Sequence, residues 1–315
     1  VTAFTAEGHP EFRLGMLRPK GPGGAHGWEV IQERMGDDSL RETSNLKFDH
    51  MVHLDVASVQ DKETGRALGC NSCHMPREDG EHFLPIAMDD HCRDCHSLTF
   101  DKMQPEVELP HGDLQAAVVA MDAHFIRQYT DPELRSKRSS GQSTSSSSRR
   151  RTPRGASNTA ATGCSGSALQ CGRQEAVRAA EFQFEVGGCV TCHEVEDWGA
   201  ENNILERWIV YPIRITGDWF EGSDFDHASH LSFESDDPDG VCKSCHAAQV
   251  SESAGDILIP DRTNCLTCHD DTRGETSVTC TGCHAFHLPN GSLSVQARGI
   301  TGADPHHPLP GSQGD

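Results

Sequence analysis

Apolar material is scarce in this chain. Of its 315 residues only 35% are hydrophobic and 6% aromatic, where a soluble domain runs at roughly 45–50% apolar. The length suits two ordinary domains, yet there is too little apolar side chain for two ordinary cores. Either much of the chain is irregular, or something other than side chains fills its interior. Long apolar runs are missing too. The longest is the six residues Ala116–Met121, far short of the roughly 20 that cross a bilayer, so a membrane-spanning helix is excluded. Basic residues are the minority, 27 against 48 acidic, for a net charge of −21. Phosphate binding needs a basic face, which excludes a nucleic-acid partner. No basic, apolar, small-residue leader precedes Val1, so an export signal, if one is made, is expected to have been removed already.

Cysteine and histidine are abundant instead, at fourteen and nineteen. Twelve of the cysteines fall into six copies of Cys-x-x-Cys-His: Cys70, Cys73, His74; Cys92, Cys95, His96; Cys189, Cys192, His193; Cys242, Cys245, His246; Cys265, Cys268, His269; and Cys280, Cys283, His284. At this chain's own residue frequencies chance supplies about 0.04 matches, so the spacing reads as covalent attachment of c-type haem, six groups in all. Two thiols three positions apart on one short helical turn add to the two vinyl groups of a porphyrin edge. The next residue, His, then lies under the iron as proximal ligand. Zinc binding or dithiol redox chemistry uses Cys-x-x-Cys as well, but neither requires His at the fifth position every time.

The pattern is duplicated. Residues 48–54 read FDHMVHL and are followed by the motifs at 70 and 92; residues 225–231 read FDHASHL and are followed by those at 242 and 265. Each copy runs as two His at i and i+3, a motif, an apolar strand-like run and a second motif. The second half adds motifs at 189 and 280. A two-haem module over 1–135, a Ser/Arg-rich linker or insert over 136–174 and a four-haem module over 175–315 are the expected division. From Leu134 to Gln174 there is no Asp or Glu, while eight cations are present, Arg149, Arg150, Arg151 and Arg154 among them. Two readings of this stretch stay open: a solvated loop, and a basic ribbon that touches an acidic surface of this chain or a neighbour. Cys164 and Cys171, outside the motifs, are expected to close a disulfide in an exported protein, with free thiols as the alternative. Helical spacing is present over Asp113–Tyr129 and Glu175–Phe184. The expected fold class is mainly irregular, with short α-helices packed around covalently bound haems, little β-structure and a duplicated multihaem module.

Thirteen histidines remain to supply sixth ligands. His50, His53, His227 and His230 rank first on the repeat. His111, after the second motif, and His287, after the sixth, come next, followed by His9, which near the start of the chain could reach a haem of another subunit. His91 abuts Cys92 and is expected to point away from that haem, and His306 and His307 sit in a Pro/Gly-rich stretch and read as solvated. Met75 and Met88 lie near motifs but are more simply apolar fillers. Imidazole on both faces holds an iron at low potential and leaves no open position for substrate.

With Phe48-Asp49-His50 and His53, and Phe225-Asp226-His227 and His230, each just upstream of Cys-x-x-Cys-His, the chain resembles the class III, low-potential multihaem cytochromes c, including the proteins with doubled CXXCH motifs. The resemblance covers about 45–130 and 185–290. It implies that the first His of each pair binds the haem attached downstream, His50 with His74 and His227 with His246, and that the second reaches a neighbouring haem. It departs from the small four-haem members in length, spacing and the middle insert. The expected function is electron transfer, not enzymatic catalysis, in the periplasm or outside the cell. The expected partners are other redox proteins or copies of this chain, as an oligomer or filament. A multihaem reductase of nitrite, hydroxylamine or a sulfur oxyanion, with one open haem face, is the alternative. No Cys-x-x-Cys-Lys motif occurs to favour it.

Overall fold

Asp113 and Ser167 start the two helices around which the larger apolar core forms. In the computed structural model, which describes residues 3–284 except 79–81, 140–163, 200–202, 221, 224, 232–235, 238 and 273–278, the elements in chain order are β1 (Arg13–Pro19), β2 (Trp28–Arg34), α1 (His50–Leu54), α2 (Leu114–Thr130), α3 (Pro132–Ser139), α4 (Ala168–Glu181), α5 (Cys189–Cys192), β3 (Val195–Asp197), β4 (Trp208–Val210), α6 (His227–His230), α7 (Gly240–Lys243) and α8 (Arg262–Leu266). No helix among the described residues is long and apolar enough to cross a membrane.

The Asp113 carboxylate accepts the Ala116 amide at 2.8 Å and caps α2. Helical spacing then puts Ala117, Val118, Met121, Phe125 and Tyr129 on one buried face. Ser167 caps α4 through the Gln170 amide, and the Gln170 side chain accepts the Ser167 amide at 2.8 Å in return. α4 therefore begins at Ala168, seven residues before the helix expected from Glu175. Its first two turns are small or polar residues that large-apolar periodicity does not mark. They approach α2 closely: a Cβ on Gly172 would lie 2.8 Å from the Ile126 Cα and the Phe125 carbonyl oxygen. Cys164 and Cys171 are joined by a disulfide, with Cα atoms 5.7 Å apart. Phe100, Leu109, Phe184 and Trp208 complete this core, the last from the short β3–β4 ladder.

Within it lies a buried ion network. Arg138, near the end of α3, reaches Asp101 at 2.8 Å and Glu175 at 3.4 Å, and His124 Nε2 is 2.9 Å from the same Asp101 carboxylate. The guanidinium also lies over Phe125, 5.1 Å from the ring centre. Residues 136–139 are thus the end of a packed helix and 164–174 largely belong to α4, so the 136–174 linker reading does not hold at its two ends. Arg138 is internal and is withdrawn from the basic ribbon; the four arginines at 149–154 lie outside the described residues.

The compact units do not follow the halves of the sequence. One unit gathers the described residues of 87–212, and the other those of 3–86 together with 213–284. The division at 135 and 175 is corrected accordingly, and the reason is local pairing. β1 and β2 form an antiparallel hairpin, an element the sequence reading missed because β1 is buried on both faces and shows no alternation. β1 is then hydrogen-bonded to the chain beyond 213: the Gly15 amide donates to the Trp219 carbonyl at 2.8 Å and the Leu17 amide to Thr216 Oγ1 at 3.1 Å. Leu14, Met16 and Met35 are the buried centre of a small core, flanked by Phe12, Trp219, Phe220 and Ile257. Arg262 of α8 ties down the start of the chain through the His9 carbonyl and the Glu11 carboxylate. By motif, this unit carries those at 70, 242, 265 and 280, and the other carries those at 92 and 189.

Arg138→Ala strands Asp101 and Glu175 in the core and is expected to cost about 3–5 kcal/mol of stability by denaturant titration at neutral pH. Burial raises the Asp101 pKa, but His124 and Arg138 outweigh it and hold it below the ordinary carboxylate value. A lowered pKa stabilises the fold above the ordinary value, and that contribution is lost as pH falls through the folded-state pKa. Asp101→Asn should therefore be less stable than the parent at pH 7, with the gap narrowing below about pH 4. Gly172→Ala meets backbone rather than a movable side chain and is expected to cost about 1–3 kcal/mol in the same assay.

Candidate metal centre

All six Cys-x-x-Cys-His segments close the same turn. The His amide donates to the carbonyl of the first Cys at 2.9 Å for His74, His193, His246, His269 and His284 and at 2.8 Å for His96. An i to i+4 closure brings both thiols and the imidazole to one side of a single helical turn, the disposition that attachment to a porphyrin edge requires. All twelve motif cysteines are half-buried or exposed, and none is in a disulfide.

The two Phe-Asp-His-x-x-His elements fold alike. Asp49 accepts the Val52 amide at 2.9 Å and caps α1, and Asp226 accepts the Ala228 amide at 2.9 Å and caps α6. His at the first and fourth helical positions then share one face. Phe48 packs edge-on against His50 at 4.8 Å and stacks on His53 at 4.3 Å; Phe225 does the same with His227 at 4.7 Å and His230 at 4.5 Å. His53 Nδ1 is 2.6 Å from the Asp49 carbonyl oxygen and His230 Nδ1 is 2.8 Å from that of Asp226. A proton on Nδ1 donated there fixes the tautomer and leaves Nε2 with its lone pair outward, as a metal ligand requires. His246 is set the same way by the Leu258 carbonyl at 2.7 Å, and His9 by that of Pro10 at 2.7 Å.

Four motif histidines face a second imidazole. Ring centres are 6.5 Å apart for His50 and His74, 6.1 Å for His9 and His284, 6.0 Å for His111 and His193, and 6.0 Å for His230 and His269. The first two pairs are nearly parallel, at 16° and 17°, and the others are tilted by 45° and 46°. These gaps exceed the 4.3 and 4.5 Å of the direct Phe/His stacks. An imidazole bound through nitrogen at about 2 Å has its centre about 3 Å from the metal, so two on opposite faces have centres about 6 Å apart. Among the described residues no group of three or more His, Cys, Asp and Glu converges on a metal point.

Of the expected ligands, His50, His9, His111 and His230 thus lie opposite a motif histidine of the same chain. His227 packs edge-on against Phe83 at 4.9 Å, and Phe83 also meets His74 edge-on at 6.2 Å. His287 lies outside the described residues, as do His306 and His307. His124 serves the ion network. Burial, then the neighbouring His74 and His53, lowers the His50 pKa and favours its neutral form.

In the four-motif unit the attachment turns are neighbours. Burial, Asp239 and the Cys242 thiol push the Cys70 thiol pKa up to about 12. Burial and the thiols of Cys245 and Cys283 push Cys265 up to about 11. Asn264 ties the turns together, accepting from the Cys245 thiol at 3.5 Å and donating to the Ser244 carbonyl at 3.1 Å. In space the order is therefore 70, 242, 265, 280. Sequence reasoning missed that the motif at 70 joins those at 242, 265 and 280, while the motif at 92, the second of the first copy, belongs to the other unit.

No protein-family model, no curated protein and no solved structure is matched by this chain.

Asp49→Ala removes the cap of α1 and is expected to cost that turn about 1 kcal/mol. Hydrogen exchange should then be faster at the Val52 and His53 amides and unchanged in α2.

Proposed function

We propose that the chain is an electron-transfer protein, a hexahaem c-type cytochrome with low-potential His/His irons and no substrate site. The observation that carries this reading is the set of four imidazole pairs held 6.0–6.5 Å apart, each with one member in a Cys-x-x-Cys-His turn. The twelve motif cysteines would hold six haems c, and His74, His96, His193, His246, His269 and His284 would be their proximal ligands. His50, His9, His111 and His230 would fill the opposite faces of four. His53 and His227 remain candidates for the others, with His287 beside them.

Bound haem supplies a one-electron iron couple. The protein's own part is to hold and orient. Backbone carbonyls fix the imidazole tautomers, and the paired rings close both faces to exogenous ligands. The contiguous turns at 70, 242, 265 and 280 keep four attachment sites together. The Cys164–Cys171 disulfide supports an exported chain, periplasmic or extracellular. The net charge of −21 favours encounter with a basic redox partner, or with the chain's own Arg-rich segment in another copy.

Intact mass of the purified protein is expected to exceed the polypeptide by six haem increments, with a ferric spectrum that is low-spin throughout and no carbon monoxide adduct of the native ferrous form. Fewer increments would remove at least one motif from the assignment. A stoichiometric high-spin species would move the protein to the reductase class.

A further inference from the structure

Asp239 stands immediately before α7 and does not cap it. Its side chain makes no capping bond to its own helix, whereas Asp49, Asp113, Asp226 and Asp261 each accept an amide of the helix they precede. The Asp239 carboxylate instead accepts the Cys70 amide at 3.0 Å, 169 residues away, and so caps the start of a different attachment turn in the same compact unit. Gly69 leaves room for this approach, since a Cβ there would lie 3.2 and 3.4 Å from the two carboxylate oxygens. Asp239 and the Cys242 thiol are both neighbours of the Cys70 thiol, so the first cysteines of the 70 and 242 turns meet beside this carboxylate. Attachment would convert each thiol to a thioether with no proton to donate. The amide bond is then the contact that a loaded protein keeps. The Asp239 side chain is only 15% exposed, so its charge is weakly screened. Lys243 Nζ lies 3.9 Å from it but is engaged at 2.8 Å by the more exposed Asp237.

We infer that Asp239 is a positioning residue for electron transfer: it holds the attachment points of the haems on Cys70 and Cys242 together, and its charge lowers the potentials of those two irons. A negative charge beside an iron porphyrin favours the ferric form, which carries one more positive charge than the ferrous form. The inference rests on the haem-binding reading and adds to it a residue that lies in none of the six motifs and in neither Phe-Asp-His-x-x-His element.

The test is Asp239→Asn in the full, haem-loaded chain, because Asn keeps an oxygen for the Cys70 amide and loses the charge. Six haems should remain by intact mass. A redox titration followed through the haem methyl resonances by NMR should show two of the six potentials raised and the other four moved much less, a split that loosened packing does not give. In Asp239→Ala, which loses the hydrogen bond as well, hydrogen exchange at the Cys70 amide should be several-fold faster than in the parent and in Asp239→Asn. Fewer haems in Asp239→Asn, potentials that do not move, or potentials raised alike at all six irons each overturn the inference and leave the function untouched. So does unchanged exchange at Cys70 in Asp239→Ala. Absence of covalent haem from the parent protein would instead remove the reading on which the inference depends.

Discussion

A histidine amide donating to a cysteine carbonyl four residues earlier is the contact on which this molecule depends. It occurs six times at nearly one length, 2.8–2.9 Å, and each time it turns two thiols and an imidazole to one side of a few residues of chain. Such a turn has almost no apolar surface of its own. On the haem-binding reading proposed above, something large and flat is fixed to each turn, which would account for a chain with 35% hydrophobic residues reaching this length. Among the described residues of the unit that carries four motifs, the buried apolar cluster is small, Leu14, Met16 and Met35 with a rim of partly buried neighbours, and Leu17 is buried besides.

The unit with two motifs is built differently. α2, α3 and α4 enclose an apolar core of ordinary kind, capped at Asp113 and Ser167, stapled at Cys164–Cys171 and threaded by the Arg138 network. Side-chain packing is the evident source of stability in this unit, while the other has a smaller apolar core beside its attachment turns. Arg138 is the clearest case of a residue whose role inverts between sequence and structure. In a stretch of Ser and Arg it reads as part of a solvated cationic ribbon, and in the fold it is the counter-ion of two buried carboxylates.

Much of the candidate centre was legible because its motifs recur at a fixed spacing, and spacing is what a sequence shows directly. The six motifs, the Phe-Asp-His-x-x-His elements, the disulfide and the helix over α2 could all be read from residue order. Three things could not. β1 is buried on both faces and has no alternation to detect. The first two turns of α4 are capped by a Ser/Gln pair but contain little large apolar side chain. The partnership of the 70 and 242 turns rests on contacts between residues about 170 apart, Cys70 with Asp239 among them, which no local pattern records. His9 belongs with these, since contacts distant in sequence, the Arg262 clamp 253 residues away and the Phe4–Asp271 pair, hold the segment that faces His284.

The most direct test of the axial-pair geometry is an experimental structure of the purified native protein with iron located by anomalous scattering. An iron should lie midway between the rings in each of the pairs His50/His74, His9/His284, His111/His193 and His230/His269, about 2 Å from a nitrogen of each. Irons bound on one side only, or these pairs closed into direct contact with no iron between them, would contradict the account.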